Sequence, residues 1–161
     1  MISRKVILTG NFGVGKTSLF NRFLYNRFSE KYLTTIGVSV DKKVVEIDGV
    51  TVNLILWDIA GEVDQNKVPH SYFLGSSGVI YVFDVNRKPT YEHMERDLAY
   101  LEEKLPGVVI KIVGNKIDLL DTDGIASVAK ELSRKPDYWT SAKNGESVED
   151  VFVSMAASLL E

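Results

Sequence analysis

An octapeptide near the N-terminus, Gly10-Asn11-Phe12-Gly13-Val14-Gly15-Lys16-Thr17, constrains this chain more than any other feature. It fits G-x-x-x-x-G-K-[ST] and stands between an apolar run, Val6-Ile7-Leu8, and a helical stripe of Leu19, Phe20, Phe23 and Leu24. A strand that feeds a helix through a glycine turn opens an α/β unit. The alternation continues to the C-terminus. Val38 to Ile47 and Val50 to Trp57 flank Asp48-Gly49, a two-residue hairpin signal. In the second arm Val50, Val52, Leu54 and Leu56 alternate with Thr51, Asn53 and Ile55, the period of a half-buried strand. Val79 to Phe83 and Val108 to Val113 are continuous enough for central parallel strands. Between them Tyr91, Met94, Leu98, Leu101 and Leu105 keep a helical spacing that Pro106-Gly107 closes. Ile125, Val128, Ala129 and Leu132 mark another helix, Asp137-Tyr138-Trp139 a short strand, and Val148, Val151, Phe152, Met155 and Leu159 a last helix. Ser147-x-x-Asp150 resembles a capping box opening it. The pattern predicts an α/β three-layer sandwich: a six-stranded, mostly parallel sheet with one antiparallel edge strand and helices on both faces. No linker or repeat interrupts it, so residues 1–161 are expected to form one domain.

Composition narrows the function classes. A chain of 161 residues buries roughly two-thirds of its unfolded surface without staples. Cysteine is absent, which excludes disulfides, thiolate metal sites and prenyl or palmitoyl anchors on this chain. Ile2 stands where myristoylation would need glycine. Nineteen basic against 22 acidic residues gives −3, with no basic field to attract nucleic acid. The longest apolar runs are strand length, and the N-terminus has no signal-peptide pattern. A cytoplasmic monomer without a lipid anchor is expected.

The glycines of residues 10–17 let backbone N–H groups turn inward and approach phosphate oxygens, which side chains would block. The helix that starts near Lys16 adds its positive dipole end. Lys16 would reach the β and γ phosphates, and the Thr17 hydroxyl would bind Mg²⁺. Chance produces this four-position pattern in roughly one chain of such length in a hundred or fewer. It is not a dinucleotide fingerprint, since G-x-G-x-x-G would need glycine where Phe12 stands. Asn115-Lys116-Ile117-Asp118 then chooses the base. A carboxylate accepts two hydrogen bonds from guanine, from N1–H and from the exocyclic amine, and adenine offers no such donor pair. The tetrapeptide follows a parallel strand, at the edge where open α/β sheets bind ligands. Ser141-Ala142-Lys143 follows the next short strand at that edge, a weak signal alone.

With those residues in place, the chain resembles the Ras-like small GTPases, in Rab-like style. Five elements occur in the family's order: the phosphate loop, Thr34-Thr35-Ile36-Gly37, Trp57-Asp58-Ile59-Ala60-Gly61, Asn115 to Asp118, and Ser141 to Lys143. The resemblance implies a switch that binds GTP and GDP with Mg²⁺ and slowly hydrolyses GTP. The phosphates would lie on Gly13, Val14, Gly15, Lys16, Thr17 and Ser18. Thr35 would close over Mg²⁺ and the γ-phosphate, Asp58 would hold Mg²⁺ through water, and the Gly61 N–H would bond the γ-phosphate. Asn115 and Asp118 would read the base, Lys116 would cover it, and Ala142, between Ser141 and Lys143, would donate its N–H to the guanine oxygen. Phe28 falls where the family packs an aromatic on guanine; a core anchor for the preceding helix is its competing role. Lys16, Thr35, Gly61 and Glu62 would be the catalytic set, and effectors and regulators would dock on the loops around 30–40 and 59–75. Thr35 and Gly61 gain contacts only when a third phosphate is present, so hydrolysis relaxes both loops.

Three positions depart from the family pattern. Ile59 replaces the usual threonine, Phe12 puts a ring near the γ-phosphate, and Glu62 stands where a glutamine orients the attacking water. The last two leave a second reading open, a GTP-binding interaction module with negligible hydrolysis. The ring of Phe12 as a lid folded away, and Glu62 as a solvent-facing carboxylate, are the bland alternatives. Tyr72 and Phe73 fit core or partner surface equally, and His70 and His93 are too isolated for a metal pair.

Overall fold

The computed structural model describes residues 1–29, 37–61 and 67–161. Thr34, Thr35, Ile36 and Glu62 lie outside them. Six strands form one sheet in the order β2-β3-β1-β4-β5-β6. They are β1 (Ile2–Gly10), β2 (Val38–Ile47), β3 (Val50–Ile59), β4 (Gly78–Asp84), β5 (Val109–Asn115) and β6 (Tyr138–Thr140). β2 pairs antiparallel with β3 through the Asp48-Gly49 turn, and all other pairings are parallel. The expected mostly parallel sheet with an antiparallel edge is therefore the one present.

The pleat decides which core each residue joins. Val6, Leu8, Ile80 and Val82 point to the face covered by α1 (Lys16–Tyr25) and α5 (Val148–Ser158). Ile7, Val79, Tyr81 and Phe83 point to the other, under α2 (His70–Phe73), α3 (Met94–Lys104) and α4 (Thr122–Glu131). Phe23 of α1 and Phe152 of α5 stack with centroids 4.1 Å apart, closing the first layer. Phe73 is fully buried and belongs to the core, while Tyr72 is half-buried against Trp57.

Several local expectations need correcting. β1 begins four residues before Val6, because Ile2 to Lys5 pair with Val52 to Ile55 of β3. Ser147 does not form a capping box: its φ of 60° turns the side chain away, and it makes no side-chain cap bond. Asp121 caps α4 instead, accepting from the Gly124 N–H at 2.7 Å. Ala129 is exposed rather than part of the apolar stripe. β4 and β5 run one or two residues longer than their apolar runs. That extension carries Asp84 and Asn115, register partners, to the C-terminal edge of the sheet beside Gly10 and Asp58.

Candidate functional site

A cleft of about 230 Å³ opens at that edge. The glycine loop and the start of α1 form its floor. At one end stand Gly61 and Phe12, and at the other Asn115, Lys116, Asp118, Ala142 and Lys143. Phe28 and Ser29 line it from the segment after α1, and Ser18 lines it from the helix itself. Ile59, one of the three departures from the family pattern, also lines it, as does Leu119, which was not expected at the site.

The floor is built for an anion. Gly15 has φ of 100°, a conformation side chains disfavour, and a Cβ there would stand 2.3 Å from Asn115 Nδ2. Lys16 is 5% exposed, and its ammonium donates to the carbonyls of Gly10 and Asn11 at 3.2 and 3.1 Å. Burial pushes its pKa down to about 8, opposed by the charge of Asp58. A nearby phosphate would restore the ammonium, so anion binding and protonation of Lys16 favour one another. Thr17 Oγ1 donates to Asp58 Oδ2 at 2.6 Å, placing a hydroxyl and a buried carboxylate side by side.

The other end is an interlocked frame. Asn115 is buried, and both ends of its amide bond to protein. Its Nδ2 donates to the Val14 carbonyl at 3.1 Å, and its Oδ1 accepts from Thr140 Oγ1 at 2.9 Å and the Ala142 N–H at 3.3 Å. The structure thus gives Asn115 a bracing role at the wall of the cleft, which it also lines. Lys116, in a left-handed conformation, spans the cleft: its ammonium donates to the Gly13 carbonyl at 2.7 Å and meets Asp84 at 3.1 Å. Asp118 remains exposed, with Oδ1 held by the Ser141 hydroxyl at 2.8 Å. Val14 and Ser141 stand one layer behind the cleft, Val14 with its side chain in the core and Ser141 fully buried.

Gly61 lies flush on the phosphate loop. A Cβ there would come within 2.5 Å of Phe12 Cα and 2.6 Å of Phe12 N. Phe12 is 53% exposed and lines the mouth of the cleft. Three bracing residues were not read from the sequence: Asp84, Arg87 and Arg22. Arg22 donates to the Ala142 carbonyl at 2.7 Å and also to the Lys143 carbonyl, fixing the loop that presents both residues. Asp84 ended an apolar strand run at the sheet edge, and that placement was the signal available for it. Among the described residues there is no cluster of three or more metal-ligating side chains, and no helix long and apolar enough to cross a membrane.

A model of the Ras family matches residues 5–161. The chain is 38% identical to "GTP-binding protein YPT1" of Saccharomyces cerevisiae, the alignment covering 98% of this chain and 79% of that protein. It is 37% identical to "Ras-related protein Rab-1" of Theileria annulata, over 96% of this chain and 73% of that one. For "GTP-binding protein yptV2" of Volvox carteri the figures are 33%, 97% and 75%.

Proposed function

The chain belongs to the Ras family of GTP-binding switch GTPases, with Rab-like relatives, and we propose that this cleft is where it binds GTP and GDP with Mg²⁺ and slowly hydrolyses GTP. The observation that carries the reading is the pairing, in one cleft, of a glycine-built anion floor holding buried Lys16 with an exposed carboxylate, Asp118, at the far end. The floor, with the backbone of Gly13, Val14 and Gly15 and the side chains of Lys16 and Ser18, takes the phosphates. Asp118 accepts from guanine N1–H and amine. The Lys116 stem covers one face of the base and Phe28 the other, while Ala142 and Lys143 close its oxygen edge. Asn115 and Ser141 hold these groups in place. The whole 161-residue chain acts as one nucleotide-binding domain, working as a monomer. Its cytoplasmic setting rests on its substrate, a nucleoside triphosphate kept inside cells.

The donor set fits Mg²⁺, because Thr17 and Asp58 offer hard oxygens beside the phosphate floor. Together with Thr35 they would hold it, and it would supply positive charge to the terminal phosphate oxygens. Lys16 and the Gly61 N–H stabilise the transferring group from the protein side. Glu62 takes the place beside the attacking water. As an ionised carboxylate it only accepts hydrogen bonds, and it carries negative charge toward an anionic transition state. Hydrolysis is therefore slow. As a switch the protein engages effectors and regulators, and the loops around 30–40 and 59–75 are the surface that changes with the γ-phosphate.

Single-turnover phosphate release from purified protein, with GTP and with ATP, tests the reading. Guanine-selective binding with slow release is expected, and equal use of ATP would overturn it. The exposed Phe12 ring at the mouth favours the second reading, a GTP-binding module that scarcely turns over. Binding without any phosphate release would establish that one.

A further inference from the structure

The backbone carbonyls of the phosphate loop share one property. Five consecutive ones, Gly10 through Val14, each accept a hydrogen bond from a side-chain nitrogen. Lys16 takes Gly10 and Asn11, Lys116 takes Gly13 at 2.7 Å, and Asn115 takes Val14 at 3.1 Å. The middle one, Phe12, is taken by Arg87 Nη1 at 3.1 Å, reaching across from the segment after β4. A second tie joins the same two segments, Asn11 Nδ2 donating to the Pro89 carbonyl at 3.0 Å.

No peptide among the described residues is cis. In a trans peptide the carbonyl and the next residue's N–H point in opposite directions. A cation on the Phe12 carbonyl therefore lies behind the Gly13 N–H, which belongs to the same peptide and faces the cleft. Hydrogen bonds in series polarise one another, and a charged donor on the carbonyl strengthens the N–H at the far end. The preceding peptide, Asn11–Phe12, lies against Gly61, where the cleft ends away from Asp118. Arg87 thus acts on the end of the floor that meets the terminal phosphate.

We infer that Arg87 is a positioning residue for triphosphate binding: it polarises and fixes the Phe12–Gly13 peptide so that the Gly13 N–H grips the terminal phosphates. The inference rests on the proposed placement of the phosphates on this loop. Arg87 touches no phosphate itself. Arg87 as a residue is half-buried, and its backbone is braced where the Arg87 carbonyl accepts from the Thr90 hydroxyl at 2.7 Å and the Thr90 N–H at 3.0 Å.

The test is nucleotide affinity of the full chain for GDP and for a non-hydrolysable GTP analogue, in wild type, Arg87→Ala and Arg87→Lys, with melting temperatures of each. Arg87→Ala is expected to weaken the GTP analogue roughly tenfold, the effect of one charge-assisted bond, and GDP distinctly less. Arg87→Lys, which keeps the charge, should restore most of the loss. Unchanged affinities in Arg87→Ala would overturn the inference. So would equal losses for both nucleotides that track a lower melting temperature, since these mark a purely structural brace. If wild type itself binds neither nucleotide, the placement of phosphates on the loop fails first, and the two failures are told apart.

Discussion

Asp118→Asn is expected to lose more than a hundredfold in GTP affinity and to gain affinity for xanthosine triphosphate. The carboxylate is exposed at the end of the cleft, with only Oδ1 engaged by Ser141. An asparagine keeps that bond through its own oxygen, so the frame around it survives. What it loses is the pair of charge-assisted acceptors that face guanine N1–H and amine, worth at least ~3 kcal/mol together. Xanthine presents a carbonyl where guanine has the amine, and the amide N–H of the variant can donate to it. Competition binding of the two triphosphates measures both effects. A variant that keeps wild-type GTP affinity would show that Asp118 does not read the base.

The second large effect is expected from Gly15→Ala. The residue sits at φ of 100°, where an L side chain costs about 1–2 kcal/mol. The added Cβ also stands 2.3 Å from Asn115 Nδ2, which must move. Moving it breaks the bond to the Val14 carbonyl and leaves a buried amide without that partner, a further ~1–3 kcal/mol. A loss of roughly 3 kcal/mol lowers the melting temperature of a chain this size by about 6–12 °C. Because Asn115 also holds Ala142 and Thr140, nucleotide affinity should fall with stability rather than independently. Calorimetric melting with and without GDP checks this, and a wild-type melting temperature would refute the role given to the close approach.

Sequence reading reached the parts of the site whose chemistry is local. Gly10 to Thr17 and Asn115 to Asp118 are short runs in which each residue type answers to one demand, a backbone cradle or a base edge. The hairpin at Asp48-Gly49 and the alternating burial of β3 were legible for the same reason. What escaped depends on partners distant in the chain. Arg87 meets Phe12 across 75 residues, and Arg22 meets Ala142 across 120. Neither arginine stands in a pattern that distinguishes it from a surface cation. Asn115 was legible as a site residue, but its bonds to Val14, Thr140 and Ala142 were not, since only the fold brings those three beside it. The polar start of β1, Ser3-Arg4-Lys5, carries no apolar period. Pairing with β3 holds it, and Lys5 lies 3.7 Å from the Trp57 ring centroid. Ser147 failed as a cap because its backbone, next after the Ser141-to-Glu146 bridge, is left-handed, which residue spacing alone does not reveal.

In the proposed switch a third phosphate changes the loops around the cleft, and hydrolysis reverses the change. Hydrogen exchange across residues 30–40 measures it most directly, in wild-type protein loaded with GDP and with a non-hydrolysable GTP analogue. In the proposed switch the loop containing Thr35 gains contacts only with the triphosphate; slower exchange is then expected in the analogue-bound form, and Thr35→Ala should remove the difference while leaving GDP affinity nearly unchanged. Equal protection of that loop in the two wild-type forms would contradict the switch itself.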